Sequence, residues 1–111
     1  MSQRDSIEAV MILSTLPDTE HAKRIGRTLV EEQLAACVQI SAGMTSIYTW
    51  NEGVAVDEEV GFTLKTSVDS QKRAVERVIE LHPYEVPQVT VLPIIGGSEA
   101  YLDWIRASTK T

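Results

Sequence analysis

The sequence predicts an α+β fold organised around one long β-hairpin. Residues 36–66 alternate between apolar and polar side chains on both sides of a turn-forming segment, residues 51–53. Residues 9–13 form an apolar run without alternation, and stretches with the apolar spacing of a helix precede and follow the hairpin. The hairpin therefore lies between two predicted helices, and a predicted strand precedes the first of them.

The first strand is predicted within residues 7–15. Its apolar run, residues 9–13, presents no polar side to water, which is typical of a strand buried on both faces. We therefore expect it to be central in its sheet. A helix follows, with Asp18 as N-cap and Glu20 in the first turn, near the positive end of the helix dipole. We expect this helix to end near residues 34–36 and to bury a stripe made of Ala22, Ile25, Gly26, Leu29 and Val30.

The register of the hairpin is predicted by matching apolar residues across its two arms. A three-residue loop with Gly53 in the left-handed region places Trp50 opposite Val54. A two-residue loop would set Met44 opposite Glu59, so the three-residue loop is the prediction. The same register gives three further facing pairs: Tyr48 with Val56, Met44 with Val60, and Ile40 with Leu64.

The predicted hairpin is longer than the helices that cover it. Fourteen strand residues span on the order of 45 Å, whereas a sixteen-residue helix covers about 24 Å. The tip therefore projects beyond the domain, and it carries the apolar cluster Tyr48, Trp50, Val54 and Val56. A soluble monomer rarely leaves such a cluster in water, so we expect another subunit to cover it.

The second half of the chain predicts a helix, a strand and a short helix. Ser67 or Ser70 caps the first of these helices, and Pro83 stops it. Its inward stripe is predicted to be Ala74, Val75, Val78 and Ile79. Residues 86–95 form the last strand, which Pro87 and Pro93 make an edge strand or a bent one, and which Gly96 and Gly97 break. Ser98 caps the terminal helix.

The resulting order, β-α-β-β-α-β followed by a short helix, matches the ferredoxin-like plan. Right-handed crossovers place the first strand between the return arm of the hairpin and the last strand. Both longer helices then cover one face of the sheet and leave the other face open.

Composition bounds the class of protein. The 111 residues, 43% of them hydrophobic, suit a single domain over residues 1–111. A net charge of −6 argues against nucleic acid or an anionic membrane as partner. No segment predicts a membrane span or an export signal, and a single cysteine suits a reducing, cytoplasmic setting. No nucleophile elbow, phosphate-cradling glycine loop or two-histidine zinc helix is present, so we expect no enzyme.

Five short blocks, in order along nearly the whole chain, resemble the CutA divalent-cation-tolerance family. They are Leu34-Ala35-Ala36-Cys37, Tyr48-Thr49-Trp50 with Gly53 behind it, Leu64-Lys65-Thr66, His82-Pro83-Tyr84-Glu85-Val86-Pro87 and Tyr101-Leu102-Asp103-Trp104. The resemblance implies a ferredoxin-like homotrimer that is cytoplasmic in bacteria and binds copper or other divalent cations. It also implies a shape similar to that of signalling trimers which bind small anionic effectors between subunits.

The resemblance implies copper ligands at two positions of this chain, Cys37 and His82. In some members of the family a second cysteine completes the set, and Ser14 stands at that position here. A hydroxyl is a poor ligand for copper, which prefers thiolate and imidazole. The residues themselves leave structural alternatives open: Cys37 as a small residue at a helix-to-strand junction, and His82 as an imidazole that bonds free carbonyls at a helix end.

A small-ligand cleft is the second candidate site. Glu59 and Lys65 share one parity of the return strand and face the open side of the sheet. If three sheets enclose that side, these charges are either buried, and then need partners, or they line a cleft between subunits. In such a cleft Lys65 would hold an anion with Glu59 as its counterpart, joined by Tyr84 and Trp104. The functional hypotheses are thus a metal-binding homotrimer, an effector-binding signalling trimer, and a trimeric scaffold for a partner protein.

Overall fold

The computed structural model describes residues 2–3 and 6–110. Its main sheet contains four antiparallel strands: β2, Ala9–Leu16; β3, Cys37–Trp50; β4, Gly53–Ser67; and β5, Thr90–Ile94. Their spatial order is β3-β4-β2-β5, so the first predicted strand is central and the strand with Pro93 lies at an edge, as predicted. Strand β5 ends at Ile94, just before Gly96 and Gly97, so the predicted break is confirmed; the two glycines form a short strand, β6, that pairs with β1, Ser2–Gln3, in a separate sheet.

Three helices follow the predicted order. They are α1, Thr19–Glu31; α2, Gln71–Leu81; and α3, Glu99–Ala107. The caps of α1 and α3 are confirmed: Asp18 Oδ1 accepts the His21 amide at 2.9 Å, and Ser98 Oγ accepts the Tyr101 amide at 3.3 Å. Helix α1 ends earlier than predicted, because Gln33 adopts φ 61°, a left-handed conformation that a helix cannot continue through.

The start of α2 differs from the prediction. A 3-10 turn, Val68–Ser70, precedes the helix, and neither predicted serine caps it with its side chain. Instead the Ser67 hydroxyl donates to the Ser70 hydroxyl at 3.2 Å, and both side chains are buried.

The core lies between α1, α2 and one face of the sheet, which we call the helix face. On this face Val10 and Ile12 of β2 pack with Phe62 and Leu64 of β4 and with the buried stripes of the two helices. Two residues predicted to point inward, Val30 and Ile79, are 41% and 49% exposed. They lie at the margins of their stripes, where no other element covers them.

The opposite face, which we call the open face, is covered at one end by α3. Leu102 and Ile105 of α3 pack there with Ala9 and Ala36. The rest of this face carries the alternate residues of the strands, such as the half-buried Met11. The first strand is thus fully buried on the helix face and only partly covered on the open face.

The register of the hairpin corrects the predicted loop. Trp50 pairs with Gly53, so the loop contains two residues, Asn51 and Glu52, with φ of 45° and 64°. Positive φ at both central residues defines a type I′ turn, whose twist matches that of the flanking strands. Met44 consequently lies opposite Glu59, the pairing that the apolar matching had rejected.

Closer to the core of the domain, a β-bulge shifts the register of the two strands. Between Ser41 and Met44 strand β3 contains one residue more than its partner, and Gly43 adopts φ 70° there. Beyond the bulge Ile40 pairs with Phe62, not with Leu64 as predicted. The even-numbered residues of β3 therefore change from the helix face to the open face at the bulge.

This change of face divides the predicted apolar tip. We call residues 44–50 and 53–59 the ribbon, since β2 pairs only with residues 60–67 of β4 and the ribbon projects as two strands. Tyr48 and Trp50 lie on the side continuous with the open face. On the other side lie Ile47, Val54 and Val56, which are 69%, 76% and 60% exposed.

Candidate functional site

Cys37 begins β3 on the open face. It is half-buried and pairs across the sheet with Lys65, and its Sγ lies 3.6 Å from the hydroxyl of Tyr101 on α3. The start of β3 and helix α3 therefore place the Cys37 thiol beside the Tyr101 hydroxyl and opposite Lys65 in the sheet.

Ser14 lies on the other side of the sheet. It pairs with Phe62 in the core and is 4% exposed, so its side chain faces α1 and α2. Because Cys37 is on the open face, the sheet itself separates the two positions. A thiolate at position 14 would not reach a metal held by Cys37 in the same protomer.

His82 ends α2 with both ring nitrogens engaged. Nδ1 accepts the backbone N–H of Tyr84 at 3.1 Å, so the proton of the neutral ring is on Nε2, which donates to the Thr15 carbonyl at 2.7 Å. Burial is the main cause that lowers the pKa of His82, while the Thr15 carbonyl and Glu59 oppose it. The carbonyl that His82 contacts belongs to β2 and not to the end of its own helix.

The two predicted copper ligands lie apart in one protomer. Cys37 pairs with Lys65 of β4, whereas His82 contacts Thr15, which pairs with Gly61 on the opposite edge of β4. The four-residue offset along β4 alone amounts to about 13 Å. Within residues 6–110 no three His, Cys, Asp or Glu side chains are grouped to hold a metal ion. The copper assignment stays a prediction.

Glu59 belongs to a cluster of phenols and carboxylates at the base of the ribbon. The Tyr84 hydroxyl donates to Glu59 Oε2 at 2.7 Å, and the Tyr48 hydroxyl donates to Asp57. Burial and then the Glu59 hydrogen bond raise the pKa of Tyr84 well above its usual range. The pKa of Tyr48 is also raised, first by its bond to Asp57. Both phenols stay protonated, and both carboxylates act as acceptors.

Lys65 lies at the other end of the open face. Its Nζ donates to Gln39 Oε1 at 2.8 Å and lies 5.8 Å from the centre of the Tyr101 ring, which stacks on Trp104 at 5.6 Å. Lys65 is the only basic residue in the four-stranded sheet, and within the described part of the chain it contacts no carboxylate. Lys65 and Glu59 do not pair within one protomer, since six residues along a strand separate them by about 20 Å.

The predicted ligand cleft therefore divides into two clusters in one protomer: Glu59 with Tyr84, and Lys65 with Tyr101, whose ring stacks on Trp104. Sequence reasoning missed two contributors to the Lys65 cluster, Tyr101 and Gln39. Tyr101 precedes Trp104 by three residues on α3, a spacing that puts the two rings on one helix face and was available as a signal. Gln39 reaches Lys65 diagonally across two strands, so only the strand register reveals it.

No helix within residues 6–110 is long and apolar enough to cross a membrane.

The family model of the CutA1 divalent ion tolerance protein matches residues 10–108. A protein from Thermus thermophilus, "Divalent-cation tolerance protein CutA", is 46% identical over 99 residues, covering 89% of this chain and 96% of the relative. "Protein CutA, chloroplastic" from Arabidopsis thaliana is 37% identical over 105 residues, covering 95% of this chain and 58% of the relative.

Solved structures agree with these relationships. A Cut A1 structure from Thermus thermophilus has a TM-score of 0.89 at 45% identity and covers 92% of this chain and 99% of its own. A CutA1 structure from a psychrotrophic Shewanella species has a TM-score of 0.91 at 40% identity, with 96% and 99% covered. The match of the family model, the identities and the shared fold lead to one conclusion: this chain belongs to the CutA1 divalent ion tolerance protein family.

Proposed function

We propose that this chain acts as a cytoplasmic homotrimer which binds copper or another heavy-metal ion, supports tolerance to divalent cations and catalyses no reaction. The observation that carries the assembly is the apolar side of the ribbon, formed by Ile47, Val54 and Val56. These side chains are 69%, 76% and 60% exposed in the protomer. Burying such a side chain is worth about 1.5–3 kcal/mol, so a neighbouring subunit gains considerably by covering them.

Membership of a family named for divalent-ion tolerance supports the metal-binding part of the proposal. Cys37 is its anchor, because a partly accessible thiol is the softest donor in the chain and soft donors select copper(I). His82 serves as a ligand only if it gives up one of its two ring hydrogen bonds. Since residues 6–110 of one protomer hold no group of three ligands, a neighbouring subunit or water completes the coordination.

Light scattering after gel filtration tests the assembly. We expect a mass of three times 12.3 kDa that persists on dilution. A stable monomer or dimer would contradict the proposal.

Competitive copper(I) titration tests the metal site with the parent protein, Cys37→Ser, His82→Ala and Ser14→Cys. Loss of the thiolate should weaken binding by at least about tenfold, since even the outer shell of a metal site contributes that much. His82→Ala should weaken binding less. Ser14→Cys is the control, because its side chain faces the core, and it should leave the affinity unchanged. Equal binding by the parent and Cys37→Ser would rule out Cys37 as the anchor.

A second candidate function is the binding of a small anion on the open face. The observation that favours it is Lys65, an ammonium with no carboxylate neighbour in the described residues and with stacked aromatic rings beside it. Calorimetric titration with a panel of small carboxylates, in the presence of EDTA, tests this function. Binding that Lys65→Met abolishes would support it, and no binding by the parent protein would exclude it.

A further inference from the structure

A groove of about 460 Å³ lies on the helix layer, and its lining residues include neither a ribbon residue nor Cys37. Its walls are the end of α1, the 3-10 turn, the start of α2 and Lys110 near the end of the chain. The lining residues are Glu32, Leu34, Asp69, Ser70, Arg73, Arg77 and Lys110. Its volume is in the range of small-molecule sites, and neither the metal-binding proposal nor the anion proposal uses it.

One wall of the groove is a fixed ion pair. Arg77 donates to both carboxylate oxygens of Glu32, at 2.9 Å each, in the bidentate geometry that gives the strongest ion pairs. The pKa of Glu32 is lowered, first by these hydrogen bonds and further by the charges of Arg73 and Lys110. All three cations are therefore close enough to act on the same carboxylate.

The other charges in the groove are available to a ligand. Lys110 is anchored by its backbone N–H, which donates to the Gln33 carbonyl at 2.9 Å, and in the described part of the chain its ammonium makes no ion pair. Arg73 makes one hydrogen bond, to Glu80 at 3.2 Å, which leaves most of its guanidinium donors free. Asp69 has no partner among residues 6–110, so it is an unused acceptor beside two incompletely used donors.

We propose that this groove binds inorganic phosphate as the hydrogen phosphate anion. Arg73 and Lys110 donate to the anionic oxygens, while the pair of Arg77 and Glu32 forms a rigid wall. Asp69 accepts the hydrogen bond of the one P–OH group that inorganic phosphate keeps at neutral pH. A carboxylate in this position repels a fully deprotonated anion, so the groove selects phosphate over sulfate, which has the same tetrahedral shape but no proton.

Isothermal titration calorimetry at constant ionic strength, with EDTA present, tests this selection. The parent protein should bind inorganic phosphate saturably, and sulfate should bind about tenfold more weakly or not at all, as expected when one hydrogen bond to a charged group is replaced by a repulsion. The Asp69→Asn variant should lose the preference for phosphate, because an amide no longer discriminates against the deprotonated anion. Glycerol phosphate is a second comparison: a phosphate monoester loses its second proton near about pH 6, so at neutral pH it carries almost no P–OH group and should bind as weakly as sulfate.

Two variants with matched chemistry complete the experiment. Lys110→Gln should weaken phosphate binding by about tenfold, whereas Lys23→Gln, which removes a lysine on α1 outside the groove, should leave it unchanged. Both substitutions are at exposed positions, so both variants should fold, and their circular dichroism spectra check this. The proposal is overturned if the parent binds no phosphate, if sulfate binds equally well, or if the two lysine variants behave alike. Copper binding plays no part in any of these outcomes.

Discussion

His82 shows how a single side chain connects three parts of the fold. It ends α2, donates to the Thr15 carbonyl of β2, and accepts the amide of Tyr84, whose hydroxyl holds Glu59 at the base of the ribbon. Because the Nδ1 lone pair accepts a backbone N–H, protonation of the ring removes that bond. The neutral ring is the form that the fold requires.

The free energy of unfolding should therefore decrease when the pH is lowered through the range in which His82 titrates. Its folded pKa is lowered from 6.5, mainly by burial, so the unfolded chain binds more protons in mildly acidic solution. The contribution is complete above about pH 6.5 and is lost as the pH falls through the folded pKa. Urea unfolding of the parent and of His82→Gln, between pH 8 and pH 5 with EDTA, measures it. Glutamine keeps a donor without titrating, so equal pH profiles would contradict the prediction.

Gly26 allows α1 to lie close to the sheet. A Cβ built there would lie 2.9 Å from Val38 Cγ1 and 3.3 Å from Val38 Cβ, which is closer than such contacts normally are. Gly26→Ala should therefore destabilise the fold by about 1–2 kcal/mol in denaturant unfolding, as overpacking of a core does. Gly53→Ala is the control, because its Cβ would meet only the Trp50 carbonyl oxygen, at an ordinary 3.6 Å. A larger loss in the control would contradict this explanation.

In the hairpin, the register that matches apolar side chains differs from the register that the chain adopts. Matching apolar residues favours a three-residue loop, yet the chain forms a type I′ turn with Asn51 and Glu52 in the left-handed region. Asparagine tolerates this conformation, whereas glutamate pays a steric cost for it. The bulge at Gly43 then restores the register that the buried base of the sheet requires.

Replacing Glu52 by glycine should stabilise the hairpin. Glycine adopts positive φ without a Cβ clash, and Asn-Gly is the preferred type I′ sequence, so we expect a gain of about 0.5–1 kcal/mol in thermal or urea unfolding. Glu58→Gly, within the same strand pair but in extended conformation, should instead destabilise the protein. A three-residue loop in solution would reverse the benefit at position 52, because Glu52 would no longer need a positive φ.

At the scale of the whole molecule, the ribbon has two chemically different sides. Ile47, Val54 and Val56 form an apolar side, while Tyr48 and Trp50 share the other side with Asp57 and Glu59. The protomer is 44 Å long and 26 Å wide, so the ribbon reaches well beyond the core between the sheet and the helices α1 and α2. If the protein is a trimer, the apolar side is the contact surface and the polar aromatic side borders it.

Substitutions on the ribbon should therefore loosen the proposed trimer. Ile47→Ser should cost about 1.5–3 kcal/mol per contact when its side chain is buried in the trimer. Trp50→Ala should also weaken it, by about 2–4 kcal/mol if Trp50 is an interfacial hot spot. Trp104→Ala, on α3 outside the ribbon, should have the smallest effect. Subunit exchange followed by mass spectrometry measures the three variants, and unchanged exchange in both ribbon variants would contradict the role of the ribbon.

The periodicity of the chain was sufficient to predict the order of the elements, the central position of β2 and the caps Asp18 and Ser98. Side-chain spacing and capping oxygens act over a few residues, so they can be recognised in the sequence. The right-handed crossover is a rule that applies to chains in general, so it also needs no tertiary information. The resemblance in five short blocks was sufficient for the family, which the family model confirms.

The register of the hairpin and the surroundings of each candidate residue were decided by the tertiary structure. A one-residue change of register moves every side chain to the other face, and the balance between turn type, bulge and strand twist sets that register for the whole sheet at once. The partners of Lys65, Glu59 and His82 lie 26, 25 and 67 residues away in the chain. Contacts of this separation depend on the register, so no local pattern in the sequence encodes them.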